Sequence, residues 1–279
     1  MLQSNKKSSL LEYVPHGLVV TKAWLLSQGL SRHTLDNWVK SEQLTSIFYG
    51  VYKRPDTKLT WRGLVYSLQR MGSDLCPGGI TALSSQGLGH YVELGQQKTI
   101  HLYGKDSMPS WLNSLLPNVI FIRHNEMKLL GKGDPISSID LNQEFTTTMA
   151  LELTLAEHEG IEAVRASTAE KAWFEVLLDV PEKISFEHAD QLMQGLGILS
   201  PRKLNKLLEV CHNVKVRRLF LWFAERHQHS WFKKLETERY TIASGLLGSG
   251  KRVLAKGGKL DSKYLITVPE EMLENSSYG

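Results

Sequence analysis

Between Thr21 and Lys40 the sequence TKAWLLSQGLSRHTLDNWVK admits two short helices and forbids one long one. Gly29 breaks the apolar spacing, and Ser31 just beyond it is of the type that starts a new helix by accepting a backbone N–H. Thr21 can do the same for the first helix, which carries Ala23, Trp24, Leu25 and Leu26. In the second, Leu35, Trp38 and Val39 recur at i, i+3, i+4 and make one apolar face. Arg32, His33, Asn37 and Lys40 lie opposite. Leu10, Leu11, Tyr13 and Val14 form an earlier apolar cluster, closed by Pro15 and Gly17. LTSIFYGVYKRP then offers two β-rich runs around Tyr49-Gly50, a hairpin.

Two short helices with a Gly-containing turn have the spacing of a helix-turn-helix, whose second helix places its N-terminal side chains in the DNA major groove. Arg32 suits guanine and Asn37 suits adenine, while Ser31, Thr34 and Lys40 suit phosphates. His33 shares their face. The hairpin would be the wing of a winged helix, with Lys53 and Arg54 on or beside it. A small helical packing domain with a solvated polar face has the same spacing. The order helix, helix, hairpin, with cations on helix and wing, favours DNA.

The 279-residue chain is long enough for two domains, and its 42% hydrophobic and 22% charged residues are ordinary for a globular protein. No apolar run is long enough for a membrane helix, and the N-terminus has no signal-peptide pattern. Cys76 and Cys211 lack CxxC spacing and read as buried free thiols in a reducing, cytoplasmic setting. Net charge is +4 but uneven. Residues 1–60 carry 8 Lys/Arg against 4 Asp/Glu, 61–199 carry 10 against 17, and 200–260 carry 14 against 4. Two basic regions flanking an acidic middle fit a nucleic acid or an acidic protein as partner.

Past Pro55 the pattern becomes mixed α/β. Helices are expected over TWRGLVYSLQRM and GGITALSSQGLG, and strands over KTIHLYG and NVIFIRH. MALELTLAEHEGIEAVRAS suggests two more strands about a Glu159-Gly160 turn. Four helices follow: STAEKAWFEVLLD, capped by Ser167 or Thr168, then SFEHADQLMQGLGIL, SPRKLNKLLEVC and NVKVRRLFLWFAERHQH. KRVLAK and KYLITVP read as closing strands. The division is therefore 1–58, a winged helix, and 59–279, a larger α/β domain, giving an α+β chain. A metal-dependent nuclease would need acid-x-Lys on a strand; Asp140 and Glu152 lack that lysine. No HExxH, HxxxH pair or GxSxG occurs, and Ser84-Ser85 has no placeable partner. No catalytic residue, metal or cofactor is expected. In the last long helix Val216, Leu219, Phe220 and Phe223 make a core face, with Lys215, Arg218 and Arg226, then Lys233 and Lys234, on a cationic one.

GLLGSGKR, residues 245–252, has the glycine spacing of a phosphate-binding loop. Such a loop needs Ser or Thr after its lysine to hold Mg²⁺, and Arg252 stands there. A turn carrying surface cations is the better reading.

The segments YGVYKRP, STAEKAWFEVL, SFEHADQLMQGLGILSPRKLNKLLEVC, VKVRRLFLWFAERHQHSWFKKL and LGSGKRVLAKGGKLDSKYLITVP, in this order, resemble the AbiEi antitoxins of type IV toxin–antitoxin systems. The resemblance implies a winged helix that binds inverted repeats in its own promoter and represses the operon. It also implies a C-terminal domain that counters an AbiEii-type nucleotidyltransferase toxin, without requiring a stable complex. Ser31, Arg32, His33, Thr34, Asn37, Lys40, Lys53 and Arg54 would face DNA. Lys215, Arg217, Arg218, Arg226, Lys251, Arg252 and Lys256 would form the antitoxin or partner surface. Two alternatives stay open: a nuclease-like enzyme in the C-terminal domain, or a basic module that binds an acidic protein or RNA.

Overall fold

The computed structural model describes residues 10–89, 97–131, 142–146 and 163–274. The first elements are α1 (Leu10–Tyr13), β1 (Val19–Thr21), α2 (Lys22–Ser27), α3 (Arg32–Lys40), β2 (Thr45–Phe48) and β3 (Val51–Lys53). They are followed by α4 (Trp61–Arg70), β4 (Cys76–Pro77), α5 (Gly79–Ser85), β5 (Lys98–Gly104), β6 (Val119–Asn125), α6 (Met127–Leu130), β7 (Asn142–Thr146) and β8 (Ala163–Ser167). The chain continues with α7 (Ala169–Asp179), α8 (Phe186–Gln194), α9 (Pro201–Val210), α10 (Val214–His227), β9 (Lys259–Asp261), β10 (Ile266–Val268) and α11 (Glu270–Glu274). The mixture is α+β, as the sequence pattern implies.

Two compact units form, and the chain visits each more than once. The first comprises Met1–Pro77, Gly95–Arg123 and Glu144–Ala166; the second takes the rest. In the first, β1, β3 and β2 make an antiparallel sheet in that order, with Val19 opposite Lys53 and Thr45 also opposite Lys53. Because side chains alternate along a strand, β1 serves two cores. Val20 joins Val14, Leu25, Leu30, Leu35 and Leu44, the core of the helix-turn-helix. Val19 joins Leu18 and Val51 with Leu64, Val65 and Leu68 of α4 and Leu75, Ile100, Leu102 and Phe121. β4, β5 and β6 make a second sheet in the first unit's neighbourhood of the chain, with β4 and β5 antiparallel. Seryl and backbone groups tie α4 to the sheet: the Val19 amide donates to Ser67 Oγ at 3.0 Å. Arg70 donates to the Tyr13 carbonyl at 2.8 Å and to that of Glu12, with its guanidinium 4.8 Å from the Trp24 ring centre.

The second unit packs α5, α6, α9 and α10 around α7, whose Trp173, Phe174 and Leu177 are fully buried, with α8 against α10. Thr168 caps α7, accepting from the Lys171 amide. α7 also buries charge. Glu175 has no exposed surface; its carboxylate accepts from the Gly79 amide at 2.8 Å and the Ser167 hydroxyl at 2.9 Å. Lys171 lies 3.8 Å from Glu175 and 2.6 Å from Glu126. Burial pushes the Glu175 carboxyl up to about 7 against the pull of Lys171. Both cysteines are buried and neither is in a disulfide, and burial raises the Cys211 thiol to about 11.

Two expectations need correction. KRVLAK is not a strand: only Arg252 bridges to Ile266, and β9 over Lys259–Asp261 pairs with β10 instead. Gly257 at φ +76 and the approach of Gly258 to the Val268 carbonyl set that ribbon, a close contact that alternation alone does not reveal. Of the strands expected over 149–167, β8 is present; the Glu159-Gly160 turn, Asp140 and Glu152 lie outside the described residues.

Candidate nucleic-acid interface

α3 begins at Ser31, whose Oγ accepts the Thr34 amide at 3.0 Å and lies 2.8 Å from the Thr34 hydroxyl. Thr21 caps α2 by accepting from the Trp24 amide. Gly29, at φ +86, makes the turn between them, a conformation that costs glycine least. Leu35 is fully buried, with Trp38 and Val39 against the same core. The opposite stripe is therefore fixed outward. Arg32, His33, Asn37 and Lys40 are exposed, and Thr34 is half-buried. Asn37 Nδ2 meets His33 Nδ1 at 3.3 Å. Arg32 and Lys40 have no ion pair or hydrogen bond from their side chains among the described residues. Asp36 is exposed between them, four residues from each. An acceptor-only carboxylate fits a cytosine amino group and repels phosphate. Asp36 was not among the expected contacts, though its i, i+4 spacing was readable.

The hairpin stands as expected, with β2 and β3 joined at Tyr49-Gly50 and an irregular register between Ser46 and Phe48. Lys53 is half-buried and donates to the Thr57 carbonyl at 2.8 Å, so its ammonium is partly used by the loop behind the wing. Arg54 is half-buried; its Nε and Nη1 are covered and meet no acceptor.

The C-terminal cations divide. Lys251, Arg252 and Lys256 are exposed. Lys215 is half-buried and donates to the Leu178 and Val180 carbonyls at 2.7 Å, at the end of α7. Arg217 donates to Leu208 and Leu246, and Arg226 to Asp190 Oδ1 at 2.9 Å and the Met272 carbonyl at 2.6 Å. Arg218, expected on a surface, is fully buried. Its guanidinium donates to the carbonyls of Leu247 (2.8 Å), Gly248 (3.1 Å), Gly250 (2.8 Å) and Leu265 (3.0 Å). This settles the polarity of GLLGSGKR. A phosphate loop turns amide N–H groups onto an anion. Here the loop turns carbonyl oxygens onto a cation of its own chain.

Residues 97–269 match the family model described as transcriptional regulator, AbiEi antitoxin, type IV toxin–antitoxin system, and residues 3–94 match the model of its N-terminal domain. The chain belongs to the AbiEi antitoxin family. No curated protein matches this AbiEi antitoxin in sequence. The crystal structure of the RV2827C protein from Mycobacterium tuberculosis is similar with a TM-score of 0.49 and 15% identity, covering 92% of this chain and 89% of that one. Nothing about function passes between proteins at that level of likeness. No helix among the described residues is long and apolar enough to cross a membrane.

Proposed function

We propose that this antitoxin represses its own operon by laying α3 in the major groove of inverted repeats in the promoter, and counters a cognate AbiEii-type nucleotidyltransferase toxin without catalysis. The observation that carries the reading is the exposed stripe Arg32, His33, Asn37 and Lys40, held outward by a serine cap and the buried Leu35. Residues 1–58 would carry the DNA contacts, with Ser31 and Thr34 near phosphates and Lys53 and Arg54 on the wing. Residues 59–279 would carry antitoxin activity, with exposed Lys251, Arg252 and Lys256 as its contact cations. Burial of Arg218 and the internal bonds of Lys215, Arg217 and Arg226 support a role in holding the fold for those four.

The test is a gel-shift titration of the full chain with DNA from immediately upstream of its gene, at two salt concentrations and against random DNA. Arg32→Ala is expected to weaken specific binding by roughly 1–3 kcal/mol while leaving random-DNA binding nearly unchanged. Lys40→Ala should weaken both and lower the salt slope by about one. Equal loss on both DNAs for Arg32→Ala would remove base reading from that residue. Toxin rescue in cells then tests the second half, where Lys251→Glu with Arg252→Glu should abolish protection.

A further inference from the structure

A cavity of about 320 Å³ opens beside the root of α2. Sites for whole small molecules begin at about 300 Å³, so it has room for one. Leu68 of α4, Met71 at the end of that helix and Trp111 give it apolar walls. Thr21, Asp106 and Ser107 supply its polar edge. All six residues belong to the first compact unit.

Charge chooses the occupant. Asp106 carries the one formal charge in the lining among the described residues. Its carboxylate is held in place: Oδ2 accepts from the Asp74 amide at 2.9 Å, and Asp74 in return accepts from the Asp106 amide at 3.0 Å and the Lys105 amide at 2.9 Å. Arg123 grips the same loop through the carbonyls of Lys105 at 2.7 Å and Asp106 at 2.5 Å, so its guanidinium is spent on the backbone. Asp106 has no ion pair among the described residues, which leaves Oδ1 able to accept. A carboxylate and an indole both attract positive charge, and together on one cavity they favour a cation over an anion. The apolar walls ask that the cation ride on an apolar body.

The position gives such a ligand something to act on. Thr21 Oγ1 accepts from the Trp24 amide at 3.2 Å, capping α2, and donates to Met71 Sδ at 3.7 Å. A molecule lying against Thr21 and Met71 touches the clasp between the start of α2 and the end of α4. α2 in turn shares a core with α3 through Leu25 and Leu35.

We propose that this cavity binds a small organic cation, an ammonium or guanidinium on an apolar body, with its charge on Asp106 and its body against Met71 and Trp111. Occupancy changes the hold of α3 on DNA, a regulatory half that rests on the reading of α3 as the DNA-reading helix. The coupling is reciprocal, so DNA alters the affinity for the cation by the same factor.

The experiment titrates the full-length chain, isotope-labelled at its tryptophan indoles, with phenethylammonium, its neutral isostere phenylethanol and the anion phenylpropionate. NMR follows the indole N–H signals, that of Trp111 being identified from Trp111→Phe. Phenethylammonium is expected to shift the Trp111 signal saturably with a Kd on the order of 1 mM. It should bind about fivefold more tightly than phenylethanol, with phenylpropionate silent. Asp106→Asn keeps an acceptor for the Asp74 amide and should lose the preference for the cation. Ser107→Phe, at an exposed position on the edge, should crowd the cavity and weaken both ligands. No saturable shift at Trp111, or equal affinity for cation and alcohol, overturns the site. Gel shifts with upstream DNA at constant ionic strength, with and without saturating phenethylammonium, read the regulatory half. Wild-type affinity is expected to change about fivefold or more, and that of Asp106→Asn not to respond. Unchanged affinity with the cavity filled overturns the coupling. A wild type that prefers no upstream DNA over random DNA overturns the reading of α3 and the coupling with it, while the spectra decide the site on their own.

Discussion

Glu175 is a carboxyl enclosed on every side by protein. Burial raises it from 4.5 to about 7, so between those values the folded chain holds a proton that the unfolded chain has released. The sign follows from linkage: stability falls as pH rises from about 4.5 to about 7 and is level above. A shift of that size corresponds to up to about 3 kcal/mol. Glu175→Gln keeps an acceptor for the Gly79 amide and leaves Lys171 beside Glu126. The variant should match wild type near pH 5 and exceed it near pH 8, read as the difference in unfolding free energy by urea titration at each pH. A difference that does not change with pH would assign the proton elsewhere. The sequence shows why such a site is hard to foresee. STAEKAWFEVLLD reads as amphipathic, with a polar side turned to water. In the fold Glu170, Lys171 and Glu175 are buried as well, because α5, α6, α9 and α10 cover both sides of α7. Which polar face is covered depends on distant segments, and no local period records it.

At the scale of elements, caps and turns were legible and clasps were not. Thr21, Ser31 and Thr168 cap the helices expected of them, and the hairpin turns at Tyr49-Gly50, since these signals act within a few residues. The cationic face of α10 had a different fate. Arg217, Arg218 and Arg226 grip carbonyls from Leu246 to Met272, and Glu225 accepts the Tyr264 hydroxyl at 2.7 Å. The C-terminal ribbon is thus fastened along one helix by groups that sequence spacing displays as a charged surface. Arg218→Met should remove four hydrogen bonds at once and leave their carbonyls without a donor. Buried unmet groups of this kind cost about 1–3 kcal/mol each, although opening the loop to water limits the total to roughly 3–5 kcal/mol. Urea unfolding should show the loss, and limited proteolysis should find new cleavage within residues 245–252. Unchanged stability with altered partner binding would return Arg218 to a surface role. Lys in its place, with one ammonium, cannot span the same carbonyls.

For the whole molecule, the order of elements was readable while the grouping was not. Helix, helix, hairpin suggested a module ending near residue 58. The winged helix has its own core of Val14, Val20, Leu25, Leu30, Leu35 and Leu44, which the local pattern anticipates. Its sheet has a second face, however. Leu18, Val19 and Val51 pack with Leu64, Val65 and Leu68 of α4, and Arg70 reaches back to Tyr13. A fragment of residues 1–58 would expose that face. Losing burial of three aliphatic side chains costs about 1.5–3 kcal/mol each, comparable to the 5–15 kcal/mol that stabilises a typical domain. The fragment should therefore melt without a cooperative transition by circular dichroism and bind upstream DNA far more weakly than the full chain. If the DNA contacts end at Arg54 yet the fold that presents them extends through α4, binding and folding have different boundaries. A cooperative melt for residues 1–58, with full-chain affinity, would make the two boundaries coincide and reduce α4 to a neighbour rather than a support.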